Sequence, residues 1–162
     1  HEMKLLRTTI ETLLREYSID DRCVHTCVFS CGTVLLAQVL GFRGEWDGLP
    51  IRSFCGNSGG LAGTVAPAKA ARAAETAVWI LNGEGDQPHA EVSRNIHEAF
   101  TRGGFPSRYT VAWGIDHGYP LAPLAEMVCW WRELDGERMA HHPAPKRRLL
   151  GDDICVMFNV RC

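Results

Sequence analysis

No apolar run in the 162-residue sequence approaches the roughly 20 residues that a helix needs to cross a bilayer. No membrane span is therefore expected. Nor is there an excess of charge of either sign, since 17 Lys and Arg stand against 19 Asp and Glu for a formal net charge of -2. That balance denies the chain the global basic field of a nucleic-acid binder. The one dense basic run, Lys146-Arg147-Arg148, is short and set between prolines and leucines, and reads as a solvated turn with no nucleic-acid partner. Internal repeats and tight hairpin signals are missing too. What is present, 46% hydrophobic and 22% charged residues, is the composition of one globular domain able to bury a core.

Paired short cysteine spacings are also lacking. The seven cysteines are Cys23, Cys27, Cys31, Cys55, Cys129, Cys155 and Cys162. The first three lie four apart, but on a strand and the turn after it, which does not gather thiolates around one ion. An odd count in a chain too long to need stapling favours buried free thiols and a reducing, cytoplasmic compartment. No metal or other cofactor is expected. The chain opens His1-Glu2-Met3 and enters a helical pattern almost at once, so no secretory leader is expected within it.

Helical and extended patterns alternate along the chain. Met3, Leu6, Ile10, Leu13, Leu14 and Tyr17 recur at helical spacing over 3–17, and a strand over 23–29 and a helix over 32–41 follow. A second strand is expected over 51–55, and the small-residue stretch after Gly59 has room for one or two helical turns. The run 77–81, apolar on both faces, reads as a central parallel strand. Val92, Ile96, Ala99 and Phe100 stripe a helix that stops at Gly103-Gly104, and 109–113 is a fourth strand. Pro123 then sits in the first turn of a last helix bearing Leu124, Met127, Val128, Trp131 and Leu134. This alternation predicts an α/β fold, an open and mostly parallel sheet with helices on both faces.

In such sheets ligands bind beyond the carboxyl ends of the strands. Ser30 follows the first strand, Asp86 in "NGEGDQPH" the third, and His117 in "GIDHGYP" the fourth. Singly, each has an ordinary reading: a turn serine, an Asx-turn aspartate, a loop histidine. Together they are a nucleophile, an acid and a base in chain order, each at a strand end. Ser30 needs a base within hydrogen-bond reach, His117 is the histidine that directly follows a predicted strand, and Asp86 would hold its tautomer. The backbone N–H of Cys31 would face a developing oxyanion.

Over residues 3–134 the chain resembles the C-terminal two-thirds of a serine esterase of the α/β-hydrolase superfamily, of the carboxylesterase and acyl-protein thioesterase group or the polyhydroxybutyrate-depolymerase-like esterases. "YSIDDRCVHTCVFSCG" is similar to their helix, Asp-Arg pair, strand and nucleophile turn. "RSFCGNSGGL" resembles the next strand, "VWILNGEGDQPH" the acid loop and "YTVAWGIDHGYP" the histidine loop. The resemblance implies Ser30 as nucleophile, Asp86 rather than Glu84 as acid, His117 as base, and a small ester or acyl substrate. The literal G-x-S-x-G at Gly56-Asn57-Ser58-Gly59-Gly60 lies one strand too late and is followed by loop, so Ser58 is expected to be a decoy.

Two features depart from the family. Val28 stands where the nucleophile turn keeps its first glycine, and the early strands that supply the second oxyanion donor have no counterpart. The chain is therefore expected to be a partial α/β-hydrolase fold, a fragment or one piece of an enzyme whose remainder lies on another chain. The open edge of its first strand should recruit a partner such as a second copy in a homo-oligomer, be covered by residues 136–162, or aggregate. Residues 1–140 form the expected domain, and 141–162 a tail. In that tail Ile154, Val156 and Phe158 alternate at period two, fitting either an added strand or a disordered extension. Trp79, Trp113, Trp130 and Trp131 fit a pocket wall or core. Three functions stay open: a serine esterase or thioesterase, a non-catalytic remnant serving as an interaction module, and a Cys31-based hydrolase of dienelactone-hydrolase type.

Overall fold

The computed structural model describes residues 2–43, 46, 48–59, 76–118, 121–141 and 157–158. Helix α1 (Glu2–Glu16) leads into β1 (Val24–Phe29), α2 (Cys31–Arg43) and β2 (Ile51–Asn57). Then come β3 (Ala77–Gly83), α3 (Gln87–Arg102), β4 (Ser107–Ala112), α4 (Leu121–His141) and the two-residue β5 (Met157–Phe158). The five strands make one sheet in the order β4-β3-β2-β1-β5, and every pairing is parallel. This is the open parallel α/β sheet expected from the alternation of patterns. The alanine-rich stretch 60–75 and most of the tail lie outside the described residues.

Strand periodicity divides the core between the two faces of the sheet. Val28, Phe54, Val78 and Ile80 point to one face, where Leu6 and Ile10 of α1, Leu36, Ala37 and Leu40 of α2, and Ile96 and Phe100 of α3 close over them. Cys27, Cys55, Trp79 and Leu81 point to the other, against Met127 and Trp131 of α4. Strand β3, between β2 and β4, is buried at all seven positions, which explains its unbroken apolar run. Trp79 and Trp131 are core, while Trp113 is 78% exposed.

Some expected boundaries move. Among the described residues β4 is an edge strand; it begins in the polar Ser107-Arg108 and ends before Trp113. Arg108 lays its guanidinium over the Trp79 ring at 4.0 Å and reaches Glu126 at 3.3 Å. Tyr17, the last residue of the predicted first stripe, lies beyond α1 and is exposed. On the far side of β1, Cys27 and Val28 pair with Met157 and Phe158, so a piece of the tail meets the edge expected to be open.

Candidate functional site

Ser30 leaves β1 at φ 54°, a left-handed conformation that costs a non-glycine residue on the order of 1–3 kcal/mol. Neighbouring groups hold it there. The Ser30 N–H donates to the Asn57 carbonyl at 2.8 Å, and the Ser30 carbonyl accepts from the Thr33 N–H at 3.0 Å. The buried Thr33 hydroxyl donates to the same Asn57 carbonyl at 2.9 Å. The turn between β1 and α2 is thereby fastened to the carboxyl end of β2.

Val28 is accommodated because the glycine stands on the neighbouring strand instead. Val28 pairs with Gly56, and a Cβ on Gly56 would lie 2.5 Å from Thr33 Cγ2 and 3.0 Å from the Phe54 ring. The missing side chain lets the first turn of α2 approach β2 closely enough for the Thr33 bond. The small residue that a strained turn requires has moved one strand across.

Asp86 ends the loop after β3 and occupies the N-cap of α3, yet its carboxylate makes no capping bond. It forgoes a contribution of typically about 1 kcal/mol. The carboxylate, with a side chain 1% exposed, turns toward histidines instead. His117 Nδ1 is 2.9 Å from Oδ2, and His89 Nδ1 makes a short hydrogen bond to Oδ1. Because an ionised carboxylate only accepts, both imidazoles donate through Nδ1. That leaves His117 Nε2 with a lone pair directed at Ser30 Oγ, 3.1 Å away.

The loops carrying Asp86 and His117 are locked together by main-chain bonds. Glu84 N–H donates to the Ala112 carbonyl and Gly85 N–H to the Ile115 carbonyl, each at 2.9 Å. The Glu84 side chain accepts from Gly114 N–H at 3.1 Å, so this carboxylate braces the loop and is not the one that meets His117. Gly83 allows the approach: a Cβ there would stand 2.4 Å from the Ile115 carbonyl oxygen and 2.5 Å from that of Asp116. Asn57 Nδ2 adds a bond to the Gly118 carbonyl at 3.3 Å. Phe29 flanks the His117 ring at 4.8 Å between centroids.

The structure thus brings Ser30, His117 and Asp86 into one hydrogen-bonded path from the ends of β1, β4 and β3. Burial pushes the Asp86 carboxyl up, but hydrogen bonds from His117, His89 and Ser58 outweigh it and hold the group below its ordinary value. Ser58 is accordingly more than a decoy. It is buried, has φ 51°, and its hydroxyl lies 3.3 Å from Asn57 Oδ1 as well as within reach of the Asp86 carboxylate. The hydrogen bond to His117 Nε2 is made by Ser30.

His89 was not singled out by sequence reasoning. It stands one helical turn after the acid in Asp86-Gln87-Pro88-His89, and its ring stacks on His117 at 4.1 Å with 29° between planes. The spacing D-x-x-H at a helix start was the available signal. Cys31, which opens α2, is disulfide-bonded, its partner lying outside the described residues. That removes its free thiol and with it the support for Cys31 as a nucleophile, while leaving its backbone N–H in place. The bond at Cys31 departs from the expectation of buried free thiols, whereas Cys23, Cys27, Cys55 and Cys129 form no disulfide, Cys129 being exposed.

No family model matches the chain, and no curated protein matches it. Among solved structures it is similar to the crystal structure of the Bacillus cereus carboxylesterase, with a TM-score of 0.50 and 15% identity over 82% of this chain. The match spans 59% of the length of that protein. At this identity the likeness is one of fold, and the partial open parallel α/β sheet described above is a fold shared with an esterase.

Proposed function

We propose that the chain carries the reacting groups of a serine hydrolase that cleaves a carboxylic ester or thioester. The observation that supports this most is the path Ser30 Oγ to His117 Nε2 at 3.1 Å and His117 Nδ1 to Asp86 Oδ2 at 2.9 Å. A structural serine needs no imidazole on its hydroxyl and no buried carboxylate behind that imidazole. The left-handed Ser30 backbone and the esterase-like fold point the same way.

In the proposed reaction Ser30 Oγ attacks the acyl carbon as its proton passes to His117 Nε2. Asp86 keeps the imidazole in the tautomer that can accept, and stabilises the imidazolium once it forms. The Cys31 N–H at the start of α2 donates to the oxyanion. Collapse of the tetrahedral species expels the alcohol or thiol, which takes the proton from Nε2 and leaves an acyl ester on Ser30. Water, deprotonated by the same nitrogen, then releases the acid and restores the serine.

The test is turnover of a small activated ester and of an acyl thioester. Ser30→Ala and His117→Ala should each lower kcat by at least about 10³-fold with the fold intact. Equal turnover by Ser30→Ala would reject Ser30 as the nucleophile, and no turnover by the parent chain would leave it as a non-catalytic module.

A further inference from the structure

Asp86, His89 and His117 form a group whose potential ligand atoms, one from each residue, all lie within 4.8 Å of one another. The two imidazoles come from different elements, the first turn of α3 and the loop after β4. Their stacked rings present both Nδ1 atoms to one carboxylate. The base of the group is buried and its mouth is open: the side chains of Asp86, His89 and His117 are 1%, 13% and 37% exposed. Two imidazole nitrogens and a carboxylate oxygen suit a divalent ion of the zinc class, with water completing the coordination from the open side.

We propose that this cluster binds a zinc-class divalent ion and that the ion switches the hydrolase site off. The inhibitory half rests on the function proposed above; the binding half does not. A small adjustment of the side chains would bring each donor to about 2.0–2.2 Å from a shared ion. Coordination uses the Nδ1 lone pairs, so the proton each neutral imidazole now carries on Nδ1 must sit on Nε2. No proton is gained or lost overall. His117 Nε2, which accepts from Ser30 in the metal-free state, becomes an N–H donor. Ser30 then has no base, and Asp86 is committed to the ion.

The two halves are tested separately on the whole chain. Cobalt(II) is the spectroscopic probe, and zinc(II) is added to an assay of Ser30 labelling by a fluorophosphonate. One equivalent of cobalt should give visible d–d bands without the charge-transfer band of a thiolate ligand. His89→Ala should weaken that binding by at least about tenfold. His89→Gln, which keeps a hydrogen-bond donor for Asp86, should weaken it likewise, so that loss of binding is not loss of fold. Zinc should suppress Ser30 labelling in the parent, a chelator should restore it, and in both His89 variants labelling should be insensitive to zinc. Cobalt binding that persists in the His89 variants, or that shows thiolate charge transfer, overturns the site. Cobalt binding that depends on His89 together with zinc-insensitive labelling overturns the switch. If Ser30 never labels, with or without metal, the hydrolase reading fails and the cobalt spectrum alone decides the metal site.

Discussion

Gly83→Ala should strike stability and chemistry together, because the added methyl has nowhere to go. Its Cβ would stand 2.4 Å from the Ile115 carbonyl oxygen, against 3.4 Å for an ordinary contact, and both neighbouring oxygens belong to the backbone of the His117 loop. The loop must retreat by about 1 Å. Overpacking of this kind typically costs about 1–3 kcal/mol. Weakening the bond from Gly85 N–H to Ile115 adds roughly 0.5–1.5 kcal/mol. At about 2–4 °C per kcal/mol for a chain of this size, Tm should fall by roughly 3–18 °C. The same retreat draws His117 away from Asp86 and Ser30, and a displacement of about 1 Å at a reacting group can cost on the order of 10²-fold in rate. Gly136→Ala is the matched control. That glycine lies in α4 with nothing within 4 Å of its absent Cβ, so the substitution should stabilise by about 0.5–1 kcal/mol through helix propensity. Thermal unfolding and the rate of Ser30 labelling read both effects. A Gly83→Ala protein with parental Tm and labelling rate would refute the account of how the two loops meet.

Ser58→Ala should slow Ser30 labelling by roughly tenfold, the loss of one hydrogen bond to an ionised group, whereas Ser30→Ala abolishes it. An effect equal to that of Ser30→Ala with folding intact would move the nucleophile to Ser58. Burial holds His97 below its ordinary value, only partly offset by Glu98, so the unfolded chain binds the extra proton. Stability should be fully present above pH about 6.5 and fall as pH drops through that value toward the lower folded one; His97→Gln should flatten this part of a Tm-against-pH curve. Cys23 is pushed up to about 12 by burial, with Asp135 and Asp20 adding to it. Its thiolate is then about one part in 10⁴ at pH 8, so iodoacetamide should modify the exposed Cys129 first, and Asp135→Asn should speed Cys23.

The order of strands and helices was legible because each strand carries an apolar run and each helix a stripe, and because β3 is apolar on both faces. Ser30, Asp86 and His117 were legible as a set, since a parallel sheet delivers all its strand ends to one side. The limits of β4 were not, because an edge strand uses Ser107 and Arg108 where an interior strand would be apolar, and Trp113 resembles strand while lying exposed in the turn beyond. The accommodation of Val28 was hidden for another reason: it depends on the register that sets Gly56 beside it, and register between strands 28 residues apart leaves no local mark. His89 was missed because a histidine in a polar helix start looks like surface until the fold stacks it on His117. Ser58 reads as a decoy because it follows the second strand and precedes loop. Its relation to Asp86 exists only once β2 and β3 are paired.

The central claim is that His117, held by Asp86, activates Ser30. A fluorophosphonate with mass-spectrometric mapping of the modified residue tests it most directly, since a serine activated by a base attacks phosphorus far faster than a surface hydroxyl does. Labelling should fall on Ser30, vanish in His117→Ala, and drop by as much as about 10⁴ in Asp86→Asn, the loss given by the corresponding change in a serine protease. Labelling at another residue, or Ser30 labelling that persists in His117→Ala, would contradict it.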